Sequence, residues 1–430
     1  MPKNTGFTNI SAALAVASSA LIAAPINAQE APPSQHQWQF DTALLAYGES
    51  GDRVKALEGS IQGVRSDGDD QRLSLMLTFD ALTGASATGA VPQRRAQTFT
   101  RPSGLGEYTT AAGQTPLDDT FRDTRVQINA GWAAPFGDNS GFEVGAHLSK
   151  EYDYLSLGVS GALSHSLDRN NTTLRLGLAG YADSIEPEGQ IPLPLAVMPL
   201  RSDYPDEEAF IQAFNATRGA AKEHKDTAEL QLGITQVINR RTLMLLNYSY
   251  AEVSGYQSDP FKLVSRIDAQ GRAIAQNYES RPERRRKQAL FWQTKMHFGA
   301  PVLESAYRFM HDDWGIDSHT LELRLNLMLP SGHTLEPQLR LYHQSAADFY
   351  RPYLQQETPT YASADYRLAE MTTYTLGFRY RIPLTGARSA SARIAYYVQN
   401  PEGPGGPGEL AGLNLYPRLE ALMLQLGYRF

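Results

Sequence analysis

The sequence predicts an all-β chain, an antiparallel up-and-down transmembrane β-barrel of about sixteen strands with long outer loops. Three observations predict it. Segments of about ten residues alternate apolar and polar side chains from Trp38 onward. The links between them sort by length, compact on one edge and long on the other. The last segment sets Leu422, Leu424, Leu426, Tyr428 and Phe430 on one face, opposite Ala421, Met423, Gln425, Gly427 and Arg429. An apolar row ending in two aromatics, backed by small and polar residues, suits a strand with lipid on one side and water on the other.

Composition agrees. The 430 residues include 42% hydrophobic and 20% charged types, with 35 Gly and 22 Tyr, as expected of many short elements joined by turns. A net charge of −7 gives no reason to expect nucleic acid as a partner. Lys3, the apolar run Ile10 to Ala24 and small Ala28 before Gln29 read as a secretory signal peptide over 1–28. A short periplasmic leader at 29–37 and a barrel over 38–430 follow, with the bacterial outer membrane as the expected location. The lack of cysteine fits an oxidising compartment and offers no lipoprotein anchor.

Taken in order, strands are expected at 38–47, 53–65, 71–80, 121–133, 141–151, 153–167, 172–183 and 226–238. The second half continues at 242–255, 287–299, 302–313, 317–329, 333–343, 368–383, 389–399 and 419–430. Leu73, Leu75, Leu77 and Phe79 typify the lipid row, and Arg72, Ser74, Met76 and Thr78 the lumen row. The long links 81–120, 184–225, 256–286, 344–367 and 400–418 all fall on one edge, which is therefore the outer one. Asp206 to Phe214 is the one stretch in those links with helical pattern, a surface or plugging helix.

The motif residues carry a family resemblance. Phe40-Asp41-Thr42-Ala43-Leu44, Tyr47-Gly48-Glu49-Ser50, Leu82-Thr83-Gly84-Ala85-Ser86 and Gly89-Ala90-Val91-Pro92 resemble signatures of the DUF3570 family of bacterial exported proteins. Gln97 to Gly104 and Asp312-Asp313-Trp314-Gly315-Ile316 with Ser318-His319-Thr320 are similar to others. The resemblance spans most of the chain after the signal and implies an exported protein; it implies no activity.

Four constellations stand out. His311, Asp312, Asp313 and His319 fall within one tight hairpin and could hold a divalent cation such as calcium or zinc. The alternative is structural: aspartates capping a turn, Gly315 supplying its positive φ, Trp314 as an interfacial anchor. Arg94, Arg95 and Arg101 lie in the Gly- and Pro-rich link 81–120, which could fold inward as an anion-favouring constriction or pack on its neighbours. The basic run Arg281 to Lys287 is a candidate for lipopolysaccharide phosphates, or a solvated charge run. Leu426, Tyr428 and Phe430 form a candidate signal for the barrel assembly machinery.

The lumen row supplies the functional expectation. Arg72, Arg125, Arg175, Lys295, Arg324, Arg340, Arg379, Arg393 and Arg429 outnumber inward Asp80, Glu143, Glu229, Glu322 and Glu336. The expected role is a pore or substrate-specific channel with a modest anion bias, passing a small anionic solute among lipids and lipopolysaccharide. The alternative is a loop-plugged receptor or scaffold. A membrane-embedded hydrolase comes third: no G-x-S-x-G elbow is present, no catalytic residue is assigned and no organic cofactor is expected.

Overall fold

A computed structural model describes residues 38–430 except 52, 68 and 69. The signal-peptide and leader readings, 1–28 and 29–37, lie outside the described residues. In chain order the wall begins with β1 (Trp38–Glu49), β2 (Lys55–Ser66) and β3 (Arg72–Ala87). A hairpin of β4 (Gln97–Thr100) and β5 (Glu107–Thr110) stands apart from it. The wall resumes with β6 (Leu117–Phe136), β7 (Ser140–Lys150), β8 (Tyr154–Leu167) and β9 (Thr172–Ile185). Helix α1 (Glu207–Ala216) lies in the next link, before β10 (Glu223–Asn239) and β11 (Thr242–Gly255). A second separate hairpin, β12 (Leu263–Ile267) with β13 (Ala273–Tyr278), follows. Then come β14 (Arg284–His297), β15 (Val302–Asp312), β16 (Asp317–Met328) and β17 (Thr334–Gln344). Last are β18 (Glu370–Pro383), β19 (Ser389–Glu402) and β20 (Leu419–Arg429).

The sixteen wall strands are antiparallel to their neighbours, and β20 pairs with β1 to close the barrel. Closure removes the open sheet edge that a bilayer would not tolerate. All sixteen lie where alternation places them. The main differences are at outer ends: β3 runs on to Ala87 and β6 starts at Leu117, paired beyond a register shift at Gly84 to Ser86. Alternation stops at Leu82 because this stretch rises into the outer loops, yet its backbone still finds a partner.

The row expected to meet lipid is solvent-facing. Leu73, Leu75, Leu77, Phe79, Leu174, Leu176, Leu178, Leu422, Leu424 and Leu426 are all exposed. An apolar belt of this size would be an aggregation liability in water and is a matched surface in lipid. Among the described residues no helix is long and apolar enough to cross a membrane.

Helix α1 forms because Asp206 caps it, accepting a hydrogen bond from Ala209 N, while Glu207 and Glu208 complement its N-terminal dipole. Phe210 and Phe214, four apart on one face, are buried against the loops.

Candidate functional site

The inward row can be read off the ladder register, since each residue faces the same side as its partner. Around β1–β3 and β6–β10 it carries Asp41, Glu49, Glu58, Asp80, Asp123, Glu143, Asp183, Glu223 and Glu229. Facing inward with them are Arg72, Arg125, Arg175 and Lys225. Around β11 and β14–β20 the balance reverses. Arg285, Lys287, Lys295, Arg308, Arg324, Arg340, Arg379, Arg381, Arg393 and Arg429 face inward there. Only Glu304, Asp312, Glu322 and Glu336 oppose them. One half of the lumen wall is acidic and the other basic.

Many of these charges pair within the wall. Arg125 donates to Asp80 at 2.7 Å in a buried contact, Arg175 to Glu143 at 2.8 Å and Arg379 to Glu336 at 2.8 Å. Lys295 lies 3.2 Å from Glu304, Arg324 contacts Glu322, and Arg429 donates to Asp41 at 2.7 Å across the closing seam. The expected excess of inward cations is therefore corrected: with Asp41, Glu58 and Glu304 included, acids and bases are nearly balanced. The alternation already placed these three inward; Asp41, for instance, shares parity with Tyr47 and opposes Phe40 and Leu44.

The long outer links do not stand apart. Phe99, Met198, Leu263 and Tyr278, from three different links, share one buried apolar cluster with Ala90. Val264 packs with Leu354, Ala362 and Ala364 in a second, and Val91 with Ile267 and Leu410 in a third. Backbone bonds stitch the same links: Met198 N donates to Gln276 O at 2.8 Å and Leu354 N to Ser265 O at 2.8 Å. These links rise from well-separated arcs of a barrel roughly 30 Å across. Together they form one cap over the outer mouth.

An ion network is sealed inside the cap. Asp365, fully buried, accepts from Arg281 Nη2 at 2.8 Å and from Arg367. Arg367 also donates to Asp259 at 3.0 Å, and Arg281 to Glu279 at 3.0 Å. Burial opposes ionisation of Asp365, but the Arg367 and Arg281 guanidiniums outweigh it and hold its carboxyl far below the usual range. Lys262 Nζ donates to Ala87 O at 2.6 Å, and burial pushes its ammonium down.

The sequence signature of DUF3570, described as a protein of unknown function, matches residues 11–430. The chain belongs to that family. Among curated proteins none matches its sequence. Among the solved structures that resemble it are the following three. A bacterial polysaccharide outer membrane secretin is 8% identical, with 92% of this chain and 99% of that one covered and a TM-score of 0.44. The ferric enterobactin receptor from Pseudomonas aeruginosa is 11% identical over 90% of this chain, with a TM-score of 0.43, and the match spans 60% of the receptor. The TodX monoaromatic hydrocarbon channel, in a deltaS2S3 mutant form, is 11% identical over 100% of this chain and 96% of that one, with a TM-score of 0.43.

In this DUF3570 barrel the hairpin at 311–319 does not assemble as a metal centre. Asp312 points inward to Arg285 and caps the turn, accepting from Trp314 N at 3.0 Å and Ile316 N at 2.9 Å. Asp313 accepts from Arg286 N at 2.8 Å. His311 and His319 lie on the outward row, bonded to Asp317 and Tyr307 at 2.7 Å each. Strand alternation puts the imidazoles and Asp312 on opposite faces. Among the described residues no group of three His, Asp or Glu side chains could hold a metal.

Arg94 and Arg95 are clasps of the cap rather than an eyelet. Arg94 donates to Glu409 O at 3.0 Å and Ala411 O at 2.9 Å, and Arg95 to Ala273 O at 2.9 Å. Arg101 lies over the Tyr108 ring at 5.7 Å. The basic run is likewise divided: Arg281 is sealed in the cap, Arg285 and Lys287 face inward, and Arg284 and Arg286 face outward near Glu252. Leu426, Tyr428 and Phe430 lie on the outward row. Phe430 exchanges backbone hydrogen bonds with Phe40, and their rings stack 5.4 Å apart.

Proposed function

We propose that this barrel is a substrate-specific channel of the outer membrane whose outer mouth is closed by its own cap. The observation that carries the reading is the shared apolar core of Phe99, Met198, Leu263 and Tyr278, which ties links from distant arcs of the barrel to one another. A general porin needs its outer mouth free for diffusion. The apolar outer face supports a membrane location among lipid and lipopolysaccharide, with the barrel assembly machinery inserting the chain through the Leu426, Tyr428 and Phe430 row. Near-balanced inward charge supports weak net selectivity, so any anion preference is expected to be small and to fade with salt.

The second reading, a receptor or scaffold presenting the cap to a partner, is favoured by the sealed Asp365 network, which fixes the cap in one arrangement. Conductance in planar bilayers separates the two. The native protein should pass little steady current. Removing both Arg281 and Arg367 as alanines leaves the Asp365 and Glu279 carboxylates buried without their guanidinium partners, a loss of roughly 3–5 kcal/mol that should loosen the cap. Current should then rise severalfold. Large steady current through the native protein would overturn the closed reading, and none through the variant would favour the scaffold.

A further inference from the structure

The two halves of the lumen wall meet twice, and one junction is hollow. A recess of about 320 Å³ opens where the acidic arc ends at β10 and the basic arc begins at β11 and β14. Small inward residues on adjacent strands, Ala162, Gly177, Ala179, Ser249, Ala251 and Ala289, make the space. Larger side chains, such as Tyr342 and Tyr397, occupy the inward row elsewhere.

Of the five charges that line this recess, three stand apart: Glu229 on the acidic side, Lys287 and Arg308 on the basic side. Among the described residues none of the three has a hydrogen-bond or ion-pair partner. That sets them apart from Glu143 and Arg175 in the same recess, which are bonded to each other at 2.8 Å. Their strand positions separate the poles: Glu229 is opposite Ala251, Ala251 is opposite Lys287, and Lys287 is opposite Asp312 on the strand of Arg308. Two strand spacings of about 4.8 Å lie between Glu229 and Lys287. A ligand with a cation at one end and an anion a comparable distance away would satisfy both poles together.

From this we infer that the recess is a binding site for a small zwitterionic solute, its ammonium held by Glu229 and its carboxylate or phosphate by Lys287 and Arg308. The inference deepens the channel reading and rests on it for the passage of the solute, but binding does not depend on passage. A purely anionic or cationic solute would meet one pole favourably and the other unfavourably, so the wall selects for dipolar shape. The volume falls at the small end of ligand pockets, enough for a dipeptide-sized molecule. Arginine suits the anionic end, where its planar fork can take a carboxylate or phosphate with two hydrogen bonds.

The test is direct binding to the purified full chain in detergent, read by ligand-observed NMR. The probes are glycylleucine, its N-acetylated anion, its C-amidated cation, and phosphocholine as a second zwitterion. At least one zwitterion should bind about tenfold more tightly than both blocked derivatives. Glu229→Gln and Arg308→Gln should each weaken it about tenfold, and a charge-conserving Glu229→Asp should retain most of the binding. Failure of all four probes, equal binding of blocked and unblocked forms, or indifference to both Gln variants would overturn the site. Zwitterion binding without current in the cap-loosened variant would keep the site and sink the channel reading. Current without discrimination among the probes would do the reverse.

Discussion

The outer and inner ends of this barrel are built on different physics. At the inner end the strands are joined by turns such as 137–139, 168–171 and 384–388, whose bonds beyond their own hairpin are single backbone ones to the next strand, Ser166 N to Asn139 O and Val237 N to Asn171 O at 2.7 Å each. At the outer end the links bury phenylalanine, leucine and methionine against one another and seal ions within. Two glycines make the contrast concrete. Gly271 and Gly386 both adopt positive φ, 80° and 73°. A Cβ on Gly271 would come 2.2 Å from the carbonyl oxygen of Pro407 in another link, whereas one on Gly386 would meet nothing within 4 Å. Equal backbone demand, unequal surroundings: the inner turns are local solutions and the outer links are tertiary structure.

The largest expected effect follows from that pair. Gly386→Ala should cost only the left-handed strain of a side chain, about 1–2 kcal/mol. Gly271→Ala adds a clash with main chain that cannot swing aside, so the 256–283 link should lift from the 403–418 link. Hydrogen exchange should accelerate across both links in Gly271→Ala and stay local in Gly386→Ala. Equal, local responses would erase the distinction between the two ends.

What the sequence made legible divides along the same line. The wall strands announce themselves because each must satisfy lipid and water alternately, a local rule with period two. Helix α1 was legible for a similar reason, through Asp206 at its cap and paired Phe210 and Phe214. The cap was not. Phe99, Met198, Leu263 and Tyr278 sit in stretches without periodicity, and their partners are fixed only once five links converge in space. The hairpins β4–β5 and β12–β13, with four to six residues per strand, are too short to show alternation. The charge asymmetry of the lumen lies between these cases. Every residue in it follows from alternation, but its sense appears only when the strands are arranged in a ring.

A second, intermediate effect tests the inner end. There the notable packing is on the lipid side, where Trp38, Phe40, Phe430 and Tyr428 form a run of stacked rings with centroids 5.4–5.9 Å apart. The run crosses the seam between β20 and β1. Phe430→Ser removes one of its two inner rings and should lower the yield of heat-modifiable barrel in the outer-membrane fraction severalfold, while cap variants such as Gly271→Ala leave that yield near native. Equal yields for Phe430→Ser and the native chain would count against a role for this aromatic run in insertion.

The smallest effect concerns pH and is confined to one tight outer turn, 151–153. Burial, with the neighbouring Asp123 carboxylate adding to it, pushes the Asp153 carboxyl up to about 8 and that of Glu151 up to about 9. Neither carboxyl oxygen of Asp153 has a hydrogen-bond partner in another residue. In the unfolded chain these groups ionise near their ordinary values of about 4. The folded state therefore binds more protons than the unfolded state between roughly pH 4 and 9, and stability falls as pH rises through that window. Below about pH 4 the contribution is fully present, and above the folded values it is lost. Amide exchange at 151–153 and in the adjoining start of the next link, where Glu186 N donates to Asp153 O at 2.8 Å, should speed up between pH 6 and pH 9 after correction for intrinsic rates. Asp153→Asn keeps the shape and removes the charge, so it should flatten the profile. The inner turn at 384–388, which contains no carboxyl group, should not respond in either protein. A pH response of the same size at 384–388, or one unchanged in Asp153→Asn, would place the titrating group elsewhere and remove this turn from the difference between the two ends.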